Sequence, residues 1–198
     1  MARTEAALIE AARTLFIEQG YVATTLTQVA RQAGVAARTV YVRFGTKANL
    51  FKRVVDQALV GDAEPIDVGH RPRTQDAMTA DTLSARIDAL VDVSIGIAQR
   101  AGALFEVAAQ AEGLEPELGE AAQAGRHATT DLCTSFWDNA AHDNLLEPGT
   151  DRARLTLATD VLICADTVVH LRRVHRWSAT THRALIIATL DALIRPAT

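Results

Sequence analysis

The sequence has very little cysteine and no long uncharged apolar run, and each shortage removes a class of protein from consideration. Only two cysteines, Cys133 and Cys164, occur in 198 residues. Their spacing suits neither a metal-ligand set nor a disulfide framework, so reduced, buried thiols are expected, with a redox sensor as the alternative. No uncharged apolar stretch approaches the roughly 18 residues that cross a bilayer, and no basic region followed by an apolar segment and cleavage site opens the chain. The expected location is therefore the cytoplasm, with no membrane partner. There is no HExxH pair, Walker A loop or GxGxxG turn, and no glutamate is followed three positions later by histidine, as a di-iron carboxylate bundle requires. No enzymatic activity, cofactor or metal is expected.

What is present is the composition of a folded domain, 48% apolar and 22% charged, which excludes wholesale disorder. A net charge of −4 argues against nucleic acid when taken whole. The distribution reverses that. Up to Arg53 there are eight Lys or Arg against three Glu, a balance of +5, which leaves twelve bases and twenty-one acids, or −9, for the remainder. A basic first quarter on an acidic remainder points to a polyanion-binding module joined to a part with another task.

Almost the whole chain carries helical periodicity, and the fold class is all-α, with about nine helices. Leu8, Ala11, Ala12, Leu15 and Phe16 form one stripe, stopped by Gly20. Thr25 caps a short second helix with Leu26, Val29, Ala30 and Ala33 inward, closed by Gly34; a third runs from about Ala36 to Arg43; Thr46 caps a fourth. From Gly61 to Asp81, with Pro65, Gly69 and Pro72, no period persists, which predicts an interdomain loop and domains at 1–60 and 61–198. Leu83, Ile87, Leu90, Val91, Ser94 and Ala98 then share a stripe, followed across Gly102 by Leu104, Phe105 and Ala108. Pro116 opens a helix with Leu118, Ala122, Gly125, Leu132, Cys133, Phe136, Trp137 and Ala140 inward, ended by Glu147-Pro148-Gly149. Leu155–Leu171 is apolar on nearly every side, and a last helix capped by Ser178 shows Leu185, Thr189, Leu190 and Leu193 before ending at Arg195 and Pro196. A helix apolar all round must be covered all round, which predicts a two-fold dimer through the last two helices.

Two short helices joined at Gly34 and supported by a longer one have the dimensions of a helix-turn-helix. Ala30 must be small where the helices cross, Gly34 supplies a left-handed turn, and Val29, Val35 and Val40 bury between the helices. Arg38, near the start of the third helix, is the side chain type that pairs bidentately with guanine, and Thr39, Tyr41 and Arg43 supply partners for phosphates or bases. Lys47 lies in the first turn of a helix, where the macrodipole disfavours a cation, so an external anion is its expected partner. Arg31, Lys52 and Arg53 read as a solvated face.

The stretch LIEAARTLFIEQGYVATTLTQVARQAGVAARTVYVRFGTKANLF resembles the N-terminal domain of TetR-type repressors, with its Ala-Ala helix, Gly-Tyr turn, Thr-Thr entry, Ala-Gly-Val turn and Tyr-x-x-Phe-x-x-Lys-x-x-Leu exit. The resemblance covers about residues 8 to 59. It implies that Thr25 contacts phosphate, that Ala36, Ala37, Arg38, Thr39, Tyr41, Val42 and Arg43 form a recognition helix in the major groove, and that Lys47 clamps a phosphate. Ala36 stands where the family often has a capping Ser, and Val42 offers no polar contact. The resemblance also implies a C-terminal helical ligand-binding and dimerisation domain, a small-molecule effector, repression of a double-stranded operator, and a bundle of the last two helices with their copies in a homodimer.

Phe105, Cys133, Thr134, Phe136, Trp137 and Asp166 are candidates to line the effector pocket, against the plainer reading of the aromatics and Cys133 as core. Asp166 and His170, like Asp138 and His142, stand one helical turn apart, where a hydrogen bond within the helix is commoner than a metal. The rival reading is a regulator without an effector, whose acidic domain binds a protein.

Overall fold

The computed structural model describes residues 2–61 and 68–194. Ten α-helices and no strand occur among them: α1 (Ala2–Ala23), α2 (Leu26–Gln32), α3 (Ala37–Phe44), α4 (Lys47–Val60), α5 (Pro72–Thr79), α6 (Leu83–Ala111), α7 (Pro116–His142), α8 (Arg152–Ile163), α9 (Ala165–His170) and α10 (Ala179–Ile194). The fold is all-α. Packing divides the chain into two units, Met1–Ala63 with Ala103–Gln123, and Glu64–Gly102 with Ala124–Thr198. The first unit thus takes in the end of α6 and the start of α7. Leu104, Val107, Ala111 and Leu118 of that segment are buried, and the Tyr21 hydroxyl donates to Glu115 at 3.3 Å. Such a partnership across ninety residues leaves no trace in local periodicity.

In the first unit the stripe of α1 is buried, with Leu8, Ala12 and Phe16 fully so. Phe16, Tyr21 and Phe51 form an aromatic knot, Phe51 lying edge-on at 4.8 Å from Phe16 and 5.5 Å from Tyr21, spacings at which aromatic quadrupoles attract. Gly20 does more than stop a helix. Its φ of 81° and ψ of 175° bend the chain inside α1, in a region open essentially to glycine alone. The bend sends Tyr21 into the knot.

The second unit buries Ile87, Leu90 and Val91 of α6, Phe136, Trp137 and Ala140 of α7, Leu155 of α8 and Ile186 and Leu190 of α10 in one cluster. Gly125, expected to face inward on α7, is exposed. α6 runs unbroken through Gly102. A buried arginine joins this unit: Arg86, 3% exposed, donates from Nε to the Ala80 carbonyl at 2.8 Å and pairs with Asp143.

Three expectations need correction here. The stretch read as a loop holds a 3₁₀ turn, Val68–His70, and α5; Pro72 occupies the first turn of α5, and the helix buries only Thr74 and Ala77, too few and too small to set up a period. Pro65 lies outside the described residues, as do Arg195 and Pro196. The continuous helix expected over Leu155–Leu171 is two helices, because Cys164 is extended (φ −64°, ψ 156°). The carbonyls freed by that break are satisfied by side chains: Thr167 and Cys164 donate to Val161, and the His182 Nε2 lies 2.8 Å from the Leu162 oxygen. The inward face of α10 is His182, Ile186 and Leu190, with Leu185, Thr189 and Leu193 half-buried beside it.

After α9 the chain makes one π turn, Leu171–His175, closed by Arg176 in the left-handed region at φ 52°. A residue with a Cβ pays about 1–2 kcal/mol there. The Arg176 and Trp177 amides both reach the Leu171 carbonyl.

Candidate nucleic-acid interface

The Thr25 side chain accepts from the Gln28 amide at 3.2 Å while the Gln28 side chain accepts from the Thr25 amide at 2.8 Å, a reciprocal cap that starts α2. Gly34 at φ 68° turns the chain, and the Val35 amide bonds back to the Ala30 carbonyl at 3.0 Å. Ala30 is 2% exposed where the helices cross. α3 starts from Ala36, whose side chain makes no capping bond. Of its eight residues only Val40 is buried. Arg38, Tyr41, Val42 and Arg43 are exposed, Val42 by 76%, while Ala37 and Thr39 are half-buried. Ala36, Arg38, Thr39, Val42 and Arg43 line one shallow, open concavity.

Three of the expected contact residues hold intramolecular partners: Thr25 in its cap, Arg43 and Lys47. Arg43 donates to Glu5 at 2.6 and 3.0 Å, and Arg53 reaches the other oxygen of that carboxylate at 3.6 Å. The Arg43 hydrogen bond holds the Glu5 carboxyl below the usual range. A pair so open to solvent contributes less than about 1 kcal/mol, so Arg43 remains available to a competing phosphate.

Lys47 also has partners inside the chain. Its Nζ donates to the Tyr21 carbonyl at 2.8 Å and reaches the Val22 carbonyl at 3.4 Å, and it stands 4.2 Å from the centre of the Tyr21 ring. The ammonium is at the wrong end of α4 but the right end of α1, whose last carbonyls lack helical partners and carry the negative end of the dipole. Burial pushes the Lys47 ammonium below its usual pKa, against a smaller opposing pull from Glu115. Burial, with Glu115 nearby, pushes the Tyr21 phenol up to about 12. Lys47 is thus a clasp between α4 and α1. Lys47→Ala is expected to destabilise the first unit by about 1–2 kcal/mol, after discounting charge-assisted hydrogen bonds for partial exposure. Urea unfolding of the variant checks this; an unchanged midpoint would return Lys47 to the role of a phosphate clamp.

Residues 8–54 match the model of the tetR family of bacterial regulatory proteins. The match is confined to the head of the chain, where the helix-turn-helix stands. Solved structures of similar fold include a TetR transcription regulator from Haloarcula marismortui, with TM-score 0.76, 12% identity, and coverage of 98% of this chain and 100% of that one. NalD of Pseudomonas aeruginosa aligns with TM-score 0.66 and 22% identity over 99% of each chain. MexZ of the same organism aligns with TM-score 0.65 and 17% identity over 99% of this chain and 97% of its own. At such identities the likeness concerns the fold alone. No curated protein aligns with this chain by sequence.

In the second unit, the residues expected to line an effector pocket do not converge. Cys133, Phe136 and Trp137 are fully buried. Phe136 meets Trp137 edge-on at 4.9 Å, and the Trp137 Nε1 donates to Thr159 at 2.9 Å. Burial pushes the Cys133 thiol up to about 12, with Asp160 and Cys164 adding to it, so the thiol is protonated in neutral water and a poor nucleophile. Asp166 is exposed and holds Arg126 bidentately at 2.9 and 3.0 Å, and Phe105 belongs to the first unit. Thr134 alone lines an open groove of about 440 Å³ between α7 and α8, with Thr130, Asp138, Arg152, Leu157 and Asp160. Asp138 pairs with Arg152 at 2.8 Å and Asp166 with Arg126. Neither histidine one turn onward serves as its partner. Among the described residues no group of three or more possible ligands could hold a metal, and no helix is long and apolar enough to cross a membrane.

Proposed function

We propose that the chain is a ligand-responsive repressor that binds a pseudo-palindromic operator as a homodimer and leaves it when a small molecule binds the second unit. The observation that carries this reading is the outward face of α3, which presents Arg38, Tyr41, Val42 and Arg43 to solvent while spending only Val40 on the core. Arg38 is the base reader, by the fork that fits guanine O6 and N7. Ala36, Ala37 and Val42 offer small apolar surface of the kind that thymine methyls accept, and Thr25, Thr39, Tyr41 and Arg43 hold phosphate or sugar. Lys47 supports this face by fixing α4 to α1. NalD and MexZ are described as repressors, which favours repression here.

The dimer reading draws support from apolar surface left open on two helices that pack together. Leu157 and Val161 of α8 are 64% and 53% exposed, and Ala184, Ala188 and Ala192 are exposed along α10 at helical spacing. A second copy laid across them would bury both. The groove beside Leu157, with three hydroxyls and two carboxylates, is a place for a small polar effector.

Arg38→Ala tests the assignment. Titrating the variant against sequences that differ at single positions should show base preference relaxed by about 1–3 kcal/mol at one position, with little change elsewhere. If affinity fell equally on every sequence, Arg38 would be a phosphate contact and the reading of α3 would be wrong.

A further inference from the structure

The second unit carries a basic feature that reading DNA through α3 does not use. In the eight residues 170–177, His170, Arg172, Arg173, His175 and Arg176 are basic and none is acidic. Residues 54–198 hold twelve Lys or Arg against twenty-one acids, so a quarter of the bases of an acidic region stand in this one turn. All five side chains are exposed, and Val174 between them is 63% exposed.

The backbone arranges these groups. In a π turn, residues five apart come into line, and the His170 and His175 rings accordingly stand 5.1 Å apart, with Trp177 at 5.8 Å from His175. Arg173 falls within that turn, and Arg176 closes it in the left-handed conformation. Arg172 has a packing task instead. It lies across α6 at Gly102, where an added Cβ would meet its side chain at 2.9 Å. Gly102 is also the residue at which α6 leaves this unit.

We infer that this turn is a second phosphate-contact surface, through which Arg173 and Arg176 hold the backbone of duplex DNA. The inference rests on the DNA-binding reading above. The turn's basic side chains are solvated, which suits a polyanion passing over them rather than a small anion enclosed among them. Exposed guanidiniums give attraction without sequence choice, as phosphate contacts do.

The test uses the full chain and two fluorescent duplexes of about three helical turns, one of random sequence and one selected for tight binding, titrated from about 50 to 200 mM salt. The variant is R173A/R176G, the glycine being at ease with the backbone at 176. R73A/R154A removes the same charge from exposed positions elsewhere in the second unit and serves as control. The slope of log affinity against log salt is expected to become shallower by about one for each arginine removed per protomer, on both duplexes, with base preference unchanged. The control should bind as the unaltered protein does. A slope and affinity matching the control would overturn the inference while leaving the reading of α3 intact. Failure of the unaltered protein to bind either duplex would overturn both. Loss of binding to anionic phospholipid vesicles, with DNA binding kept, would reassign the turn to a membrane surface and overturn the proposal. Should the double variant melt early, R173Q alone carries the same test with half the change in slope.

Discussion

Replacing Trp137 with alanine is expected to destabilise the second unit by about 3–5 kcal/mol, the usual cost of removing a fully buried large aromatic from a packed core. Three contributions act together. The indole is inaccessible to solvent, so its truncation opens a cavity among Leu90, Phe136 and Ile186, members of the same cluster. The edge contact with Phe136 at 4.9 Å is lost. Thr159, also fully buried, loses the donor to its hydroxyl oxygen, although that hydroxyl still donates to the Leu155 carbonyl at 2.7 Å. Trp137→Phe should cost less, because most of the volume stays and the lost hydrogen bond is worth about 1 kcal/mol. Denaturant unfolding measures both. A loss under about 1 kcal/mol for the alanine variant would mean that the indole borders an open cavity, the effector-pocket role its sequence position also suggested.

The second large effect is at Gly20. A Cβ there would meet nothing nearer than the Gln110 Oε1 at 4.0 Å, so crowding does not forbid alanine. The backbone does. At φ 81° and ψ 175° any other residue is strained by about 1–3 kcal/mol, and relaxing the strain would straighten the bend that carries Tyr21 into its aromatic knot, the Thr24 hydroxyl to the Gly20 carbonyl at 2.8 Å, and the Lys47 acceptors into place. Gly20→Ala should lower the melting temperature of the first unit and weaken DNA binding on all sequences alike. Gly34→Ala, at φ 68° with nothing within 4 Å, sits in the milder left-handed well and should cost less, about 1 kcal/mol. Equal melting of Gly20→Ala and the unaltered protein would contradict the role given to this bend.

The head was legible because its determinants are local. Thr25 at the start of its helix, Gly34, and the buried Val29, Ala30 and Val40 all lie within one or two turns of what they control. The internal partners of Lys47 were not legible for the opposite reason: they are carbonyls at the end of another helix, visible only once the Gly20 bend has brought them there. α5 escaped notice because two small buried residues make no stripe. The break at Cys164 has neither Gly nor Pro to announce it, and the groups that make it tolerable come from Thr167 and from His182 in α10. The aromatic residues of α7 carry the same pattern whether they fill a core or line a pocket, and only packing distinguishes the two. The charge reversal between the first quarter and the rest was plain in the sequence, whereas the basic turn at 170–177 needed the π turn to gather its side chains on the surface.

The central claim is that α3 lies in the groove of a duplex. Selection of binding sites from a random DNA pool by the purified chain, repeated at several salt concentrations, tests it most directly. Enrichment of a pseudo-palindrome, bound by two copies with an affinity that falls steeply as salt rises, is the predicted result. A pool that emerges unenriched, with binding indifferent to salt, would contradict it.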